Sequence, residues 1–336
     1  MWELQRRGSK GAFMKRREFL GTILAVPLCY RSASAQGKIR RVGYLSAGSP
    51  VTDDSPTSGP VIDGLKRLGW IEGRTIHFER RAAEGQIDRL PSLVSDLIAV
   101  GVEAILTSGF PAIAACKGAP VSAIASGAGD LVSLGLIESL RRPGGNITGI
   151  SDLAGELAPK RLAILKEALP SIRRVAMLWN AEDRAMGQRY ELSAASAGTL
   201  EISVQPLPVR EPEDFAQAFA AMDRERPDAG FMVVDGLTGL NRKRVIDFAG
   251  SHRIPFMYEG DFIVRDGGLV SYGPDLAEVG ERQASLLDKI LNGANAGELP
   301  FERPTRFTLA VNLKAAAKLG LTLPPAVVGR ADEVIE

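Results

Sequence analysis

The chain has 336 residues, 45% of them hydrophobic and 24% charged, with a formal net charge of +1, which is an ordinary globular composition long enough for two domains with separate cores. Residues 1–35 hold seven Lys/Arg against Glu3 and Glu18, so the remainder carries 34 basic and 38 acidic residues, mildly acidic and without the basic stripe that nucleic acid requires. Two histidines (His77, His252) and two cysteines (Cys29, Cys116) form no Cys/His cluster, so neither a metal site nor a cofactor is expected, and with Cys29 in the leader no internal disulfide can form.

The first 35 residues read as an export signal. Arg16-Arg17-Glu18-Phe19-Leu20 resembles a twin-arginine motif, an apolar run follows from Phe19 to Leu28, and Ala33-Ser34-Ala35 is a small-x-small cleavage site. The run is shorter than the roughly 20 apolar residues that span a bilayer. Cleavage near Ala35 would leave the mature chain in the periplasm, by the twin-arginine or the general secretory route, and Met14 is an alternative start.

Beyond the leader, Arg41 to Ser46 reads as a buried first strand ending in Ala47-Gly48-Ser49-Pro50. Val61, Ile62, Leu65 and Leu68 fall at helical spacing, closed by Gly69. Further strands are expected at Thr75–Arg80, Ala104–Thr107 and Val121–Ala125, with a helix running on to Leu140. The stretch Arg142-Pro143-Gly144-Gly145-Asn146-Ile147-Thr148-Gly149 then interrupts the alternation, and it is read as the first crossing between two lobes. The rhythm resumes with a helix at Leu157–Leu169 and strands at Arg174–Trp179, Glu201–Gln205, Phe231–Val234 and Ile254–Tyr258. Gly267-Gly268 opens a second glycine-rich crossing through Pro274, a helix to Leu291 returns to the first lobe, and Glu298 to Val311 crosses a third time. Strands alternating with helices imply parallel sheets wound by right-handed crossovers.

No phosphate loop, complete dinucleotide fingerprint or Gly-x-Ser-x-Gly elbow occurs. What remains is a set of strand-to-helix loops, the place where ligands sit in open α/β sheets. The residues at those ends are Ser46, Ser108, Phe110, Ser126, Asp130, Asn180, Asp235 and Tyr258, with Tyr272 in the second crossing. Helix capping explains Ser108 and Asp130 equally well, and Asp235 before Gly236 equally suits a turn. Phe110, Tyr258 and Tyr272 offer rings to an apolar or aromatic ligand.

Leu68-Gly69-Trp70-Ile71-Glu72-Gly73, Arg142 to Gly149, Gly268-Leu269-Val270-Ser271-Tyr272-Gly273-Pro274 and the tail Arg330-Ala331-Asp332-Glu333-Val334-Ile335 resemble the ABC transporter substrate-binding protein family, which includes tryptophan- and other amino-acid-binding members. The resemblance implies a two-lobed α/β periplasmic-binding-protein fold of type I, each lobe a parallel sheet flanked by helices and joined by three crossovers, with no catalysis. It places the first lobe at residues 38–148 and about 273–297, and the second at 149–272 and about 298–336. The chain departs from the family at Phe110, where Thr or a small residue is common, and at Asp130-Leu131, where Asp-Pro is common. The expected protein is an exported monomer that captures a small organic ligand, an amino acid or related carboxylate, and delivers it to an ABC transporter permease with its ATPase. A two-lobed α/β enzyme and a sensory ligand-binding module are the alternatives.

Overall fold

The computed structural model describes residues 38–127 and 129–336; the leader read in residues 1–35 lies outside the described residues. The first sheet holds β1 (Arg40–Ser46), β2 (Ile76–Ala82), β3 (Ala104–Ser108), β4 (Ser122–Ser126) and β5 (Ile147–Ile150), all parallel, in the spatial order β2-β1-β3-β4-β5. The second holds β6 (Arg174–Asn180), β7 (Ser203–Val209), β8 (Ala229–Met232), β9 (Phe256–Tyr258), β10 (Val270–Pro274), β11 (Phe307–Asn312) and β12 (Glu333–Ile335), ordered β12-β11-β10-β9-β8-β6-β7. Every pair is parallel except β10 with β11.

The central strands are apolar runs because helices cover both faces of each sheet. Val175 to Asn180 of β6 is buried without a break. In the first lobe the helices Gly59–Arg67 and Leu276–Leu291 cover one face, where Val61, Ile62 and Leu65 meet Ala284, Leu286 and Leu287 in one core cluster. Gln283, buried in that helix, donates from Nε2 to the carbonyls of Thr107 and Ile124, both at 3.3 Å, and so pins a late segment of the chain to an early sheet.

The glycine-rich stretches are not themselves the crossings. Ile147–Ile150 is the edge strand of the first sheet, and Gly144 N–H donates to the Gly297 carbonyl within that lobe. Gly149 is required for packing rather than hinging, since a Cβ there would lie 2.1 Å from the Ala125 carbonyl oxygen. Gly267 and Gly268 join the helix Asp261–Arg265 to β10 inside the second lobe. The chain changes lobe at Ser151–Leu153, at Pro274–Asp275, and between Glu302, still bonded along β5, and Phe307. A further difference is that residues 131–140 form turns instead of a helix. Asp130 caps one turn through Val132 and Ser133 N–H, and Gly135, at φ 74°, ends it.

Candidate functional site

In both sheets the carboxyl ends of the parallel strands open on a single cavity of about 550 Å³. The loops after β1, β3 and β4 form one wall and those after β6, β8 and β9 the other, as the doubly wound topology requires. The two walls touch at the rim. A Cβ on Gly48 would lie 2.9 Å from Gly236 Cα, so two glycines allow the loops after β1 and β8 to meet. Gln188 makes a second bridge, accepting from Asp130 N–H at 3.3 Å and donating to Ser133 Oγ at 2.8 Å.

Five of the nine residues singled out from the sequence line this cavity: Ser46, Ser108, Ser126, Asn180 and Asp235. The three serines are half-buried on the first wall. Asn180 donates from Nδ2 to Asp235 Oδ2 at 2.6 Å on the second, and Asp235 Oδ1 accepts from Thr238 N–H at 2.9 Å in a capping box. The other four lie elsewhere. Phe110 turns into the first-lobe core, with the Arg184 guanidinium 5.8 Å from its ring centroid. Asp130 is exposed and serves its own turn. Tyr258 is 1% exposed and packs against Phe256 and the backbone of Gly268. Tyr272 stacks on Phe307, and the link from Tyr272 to the site is its carbonyl, which accepts from Arg161 Nε at 2.7 Å. Tyr258 and Tyr272 stand on strand faces that pack away from the cavity, and Phe110 opens a first-lobe helix with its ring in the core, so the expected aromatic clamp from Phe110, Tyr258 and Tyr272 is absent.

Most of the charge of the site comes from residues the sequence reading passed over. Glu259, one residue beyond β9, takes Arg161 Nη1 and Arg189 Nη1, each at 2.6 Å, and Arg189 Nη2 pairs with Asp152 in the first crossing. All four are buried or nearly so. Burial favours the protonated form of Asp152, but Arg189 and the N–H groups of Gly129 and Ala154 outweigh it and hold the carboxyl below its usual range. Asp183 behaves in the opposite way. Burial first, and the nearby charge of Asp235 second, push its carboxyl up to about 7, although Oδ1 accepts from Ala185 N–H at 2.9 Å and Met186 N–H at 3.4 Å. Its Oδ2 is buried and without a partner. Asp152, Asp183 and Glu259 each lie one to three residues past a strand end, so reading slightly further along each loop finds them. Arg161 and Arg189 sit inside helices, and no local signal marks them.

Residues 52–335 match the family described as ABC transporter substrate binding protein. The chain belongs to this family. It is similar to the tyrosine-binding protein of Clostridioides difficile, 22% identical over 241 residues that make up 71% of this chain and 69% of that one. A conserved domain protein from Vibrio cholerae superposes with a TM-score of 0.82 at 24% identity, over 88% of this chain and 100% of that one. An ABC domain from Streptococcus pneumoniae in complex with L-Trp superposes with a TM-score of 0.80 at 23% identity, again over 88% and 100%. The fold of this ABC transporter substrate-binding protein is thus the two-lobed α/β architecture of the type I periplasmic binding proteins, and its family is one of substrate-binding proteins rather than enzymes.

Proposed function

We propose that this protein is an exported monomer that closes its two lobes on one small organic ligand, an amino acid or related carboxylate, and hands it to an ABC transporter permease with its ATPase. The observation that carries this reading is the cavity itself. Its volume of about 550 Å³ suits a small molecule, and both walls are built from strand ends with polar side chains facing inward. The ligands named for relatives, tyrosine in one and L-Trp in another, are amino acids. The twin-arginine-like leader supports release into the periplasm. The lobes are proposed to move as two bodies about the three crossings, a hinge closure in which the ligand bridges the walls.

The test is a thermal-shift screen of the mature chain against the L-amino acids and small organic carboxylates, followed by small-angle scattering with each hit. A raised melting temperature and a smaller radius of gyration on ligand addition are expected. A screen in which no member of these classes binds, or binding that leaves the scattering unchanged, would overturn the reading.

A further inference from the structure

We infer that Tyr44 reads the far end of the ligand. Its hydroxyl ends an apolar chamber on the first-lobe side of the cavity, and it selects acids whose apolar body, about one ring long, terminates in a hydrogen-bonding oxygen. This rests on the reading of the cleft as a small-carboxylate site and adds what that acid carries at its other end.

The chamber continues the cavity past the serines. Tyr44 stands two residues before Ser46 on β1, so both side chains lie on one face of the strand, with Tyr44 about 7 Å further from the strand end. Val51, in the loop after β1, and Ile150, at the end of β5, share an apolar cluster with Tyr44. Leu276 and Val279 come from the start of the helix Leu276–Leu291, just after the second crossing. All five line the same cavity as Ser46, Ser108 and Ser126. A carboxylate held at the serines therefore has apolar side chains beside its body, and a body of about 7 Å reaches Tyr44.

An apolar chamber alone would not name a chemistry. The second observation is the Tyr44 hydroxyl. The side chain is 6% exposed and its oxygen has no hydrogen-bond partner among the described residues, yet that oxygen is not sealed in the way that Asp183 Oδ2 is. Arg80, opposite Tyr44 on β2, is held instead by Glu72 and Asp53, each at 2.7 Å. Phe78 lies against the Tyr44 ring, with centroids 6.5 Å apart and planes tilted by 58°, which fixes the direction of the hydroxyl. Burial pushes its pKa well above the usual range, against a smaller pull from Arg80, so it stays protonated and keeps one O–H donor beside free lone pairs. A buried hydroxyl without a partner is costly, and a ligand oxygen at that point removes the cost. An acid of the same shape without that oxygen leaves the hydroxyl dry and unpaired, which is how a site built around a polar group rejects an analogue that lacks one.

The test uses the mature chain and pairs of acids that differ only in the terminal oxygen: L-tyrosine and L-phenylalanine, 4-hydroxyphenylacetate and phenylacetate, 6-hydroxyhexanoate and hexanoate. L-alanine and L-serine are titrated alongside as acids too short to reach Tyr44. Calorimetry should show the oxygenated member of at least one pair binding tenfold or more tighter than its partner. Tyr44→Phe should bring the two members of that pair within threefold, by weakening the oxygenated acid and leaving the other unchanged or tighter. The melting temperature of the empty variant should equal or exceed that of wild type, because the change removes an unpaired buried hydroxyl and keeps the ring. Equal binding within every pair, or discrimination that survives Tyr44→Phe, would overturn the inference and leave the small-carboxylate cleft standing, with the hydroxyl meeting water only. Binding confined to L-alanine and L-serine would do the same. Binding of none of these acids, nor of any in the wider screen, would overturn both readings.

Discussion

The two walls of the cleft are made by the same topology from different chemistry. The first presents Ser46, Ser108 and Ser126 on loops whose glycines let the backbone come close. The second presents Asp183, Asp235 and Glu259, backed by two buried arginines. A neutral wall can lose one side chain with little consequence, because water replaces a lost hydroxyl. A buried ionic wall cannot, because removing one member leaves its partners charged in a poor solvent. The second lobe should therefore be sensitive in stability and the first mainly in affinity.

The harshest test of that contrast is Arg189→Met. It leaves Asp152 and one face of Glu259 without their cation, and the loss of a buried partner typically costs about 3–5 kcal/mol. The urea midpoint should drop accordingly; a midpoint within the error of wild type would mean that the network contributes little.

A smaller effect is expected from pH. The folded value of Asp183, about 7, lies above its ordinary 3.8, so the folded chain binds this proton more tightly than the unfolded one. The stability tied to it is complete below about pH 4 and is lost as pH rises towards 7, on the order of a few kcal/mol. Relative to wild type, Asp183→Asn should gain stability across that window. Glu278 has the opposite sign. Burial opposes its charge, but the Thr305 hydroxyl, Arg306 N–H and Arg282 prevail and hold it down to about 2. Stability tied to Glu278 is present above about pH 4.5 and is lost as pH falls towards 2. Urea midpoints at pH 3, 4, 5.5 and 7 separate the two, and parallel curves for wild type and Asp183→Asn would remove Asp183 from the account.

Next comes the rim. Gly48→Ala places a methyl group 2.9 Å from Gly236 Cα, which closed lobes cannot accept without shifting. Ligand affinity should fall about tenfold, or ~1.4 kcal/mol, with the melting temperature of the empty protein unchanged. Scattering should show the lobes held further apart, and wild-type compaction with ligand would show that the glycine pair does not limit closure. The mildest change is Ser108→Ala on the neutral wall, expected to weaken binding by about 1 kcal/mol, one hydrogen bond, without moving stability. A stability loss as large as that of Arg189→Met would erase the contrast between the walls.

The alternating α/β elements and the strand ends that carry Ser46, Ser108, Ser126, Asn180 and Asp235 were legible in the sequence, because each depends on neighbours within a few residues. Apolar runs of strand length, glycines at turns and a polar residue after a strand are local signals. Other features were decided only by the tertiary structure. Whether Tyr258 and Tyr272 face ligand or core depends on which face of the strand the helices cover, and that is set by packing far away in sequence. Gly144 and Gly145 read as a break between lobes because a turn looks the same wherever it leads; hydrogen bonding to Gly297, about 150 residues later, keeps them in the first lobe. The ionic wall is the extreme case. Asp152, Arg161, Arg189 and Glu259 come from a crossing, two helices and a strand end, and only the closing of the chain on itself brings their charges within bonding distance. Burial then decides which of them keep their charge, and burial belongs to the folded molecule.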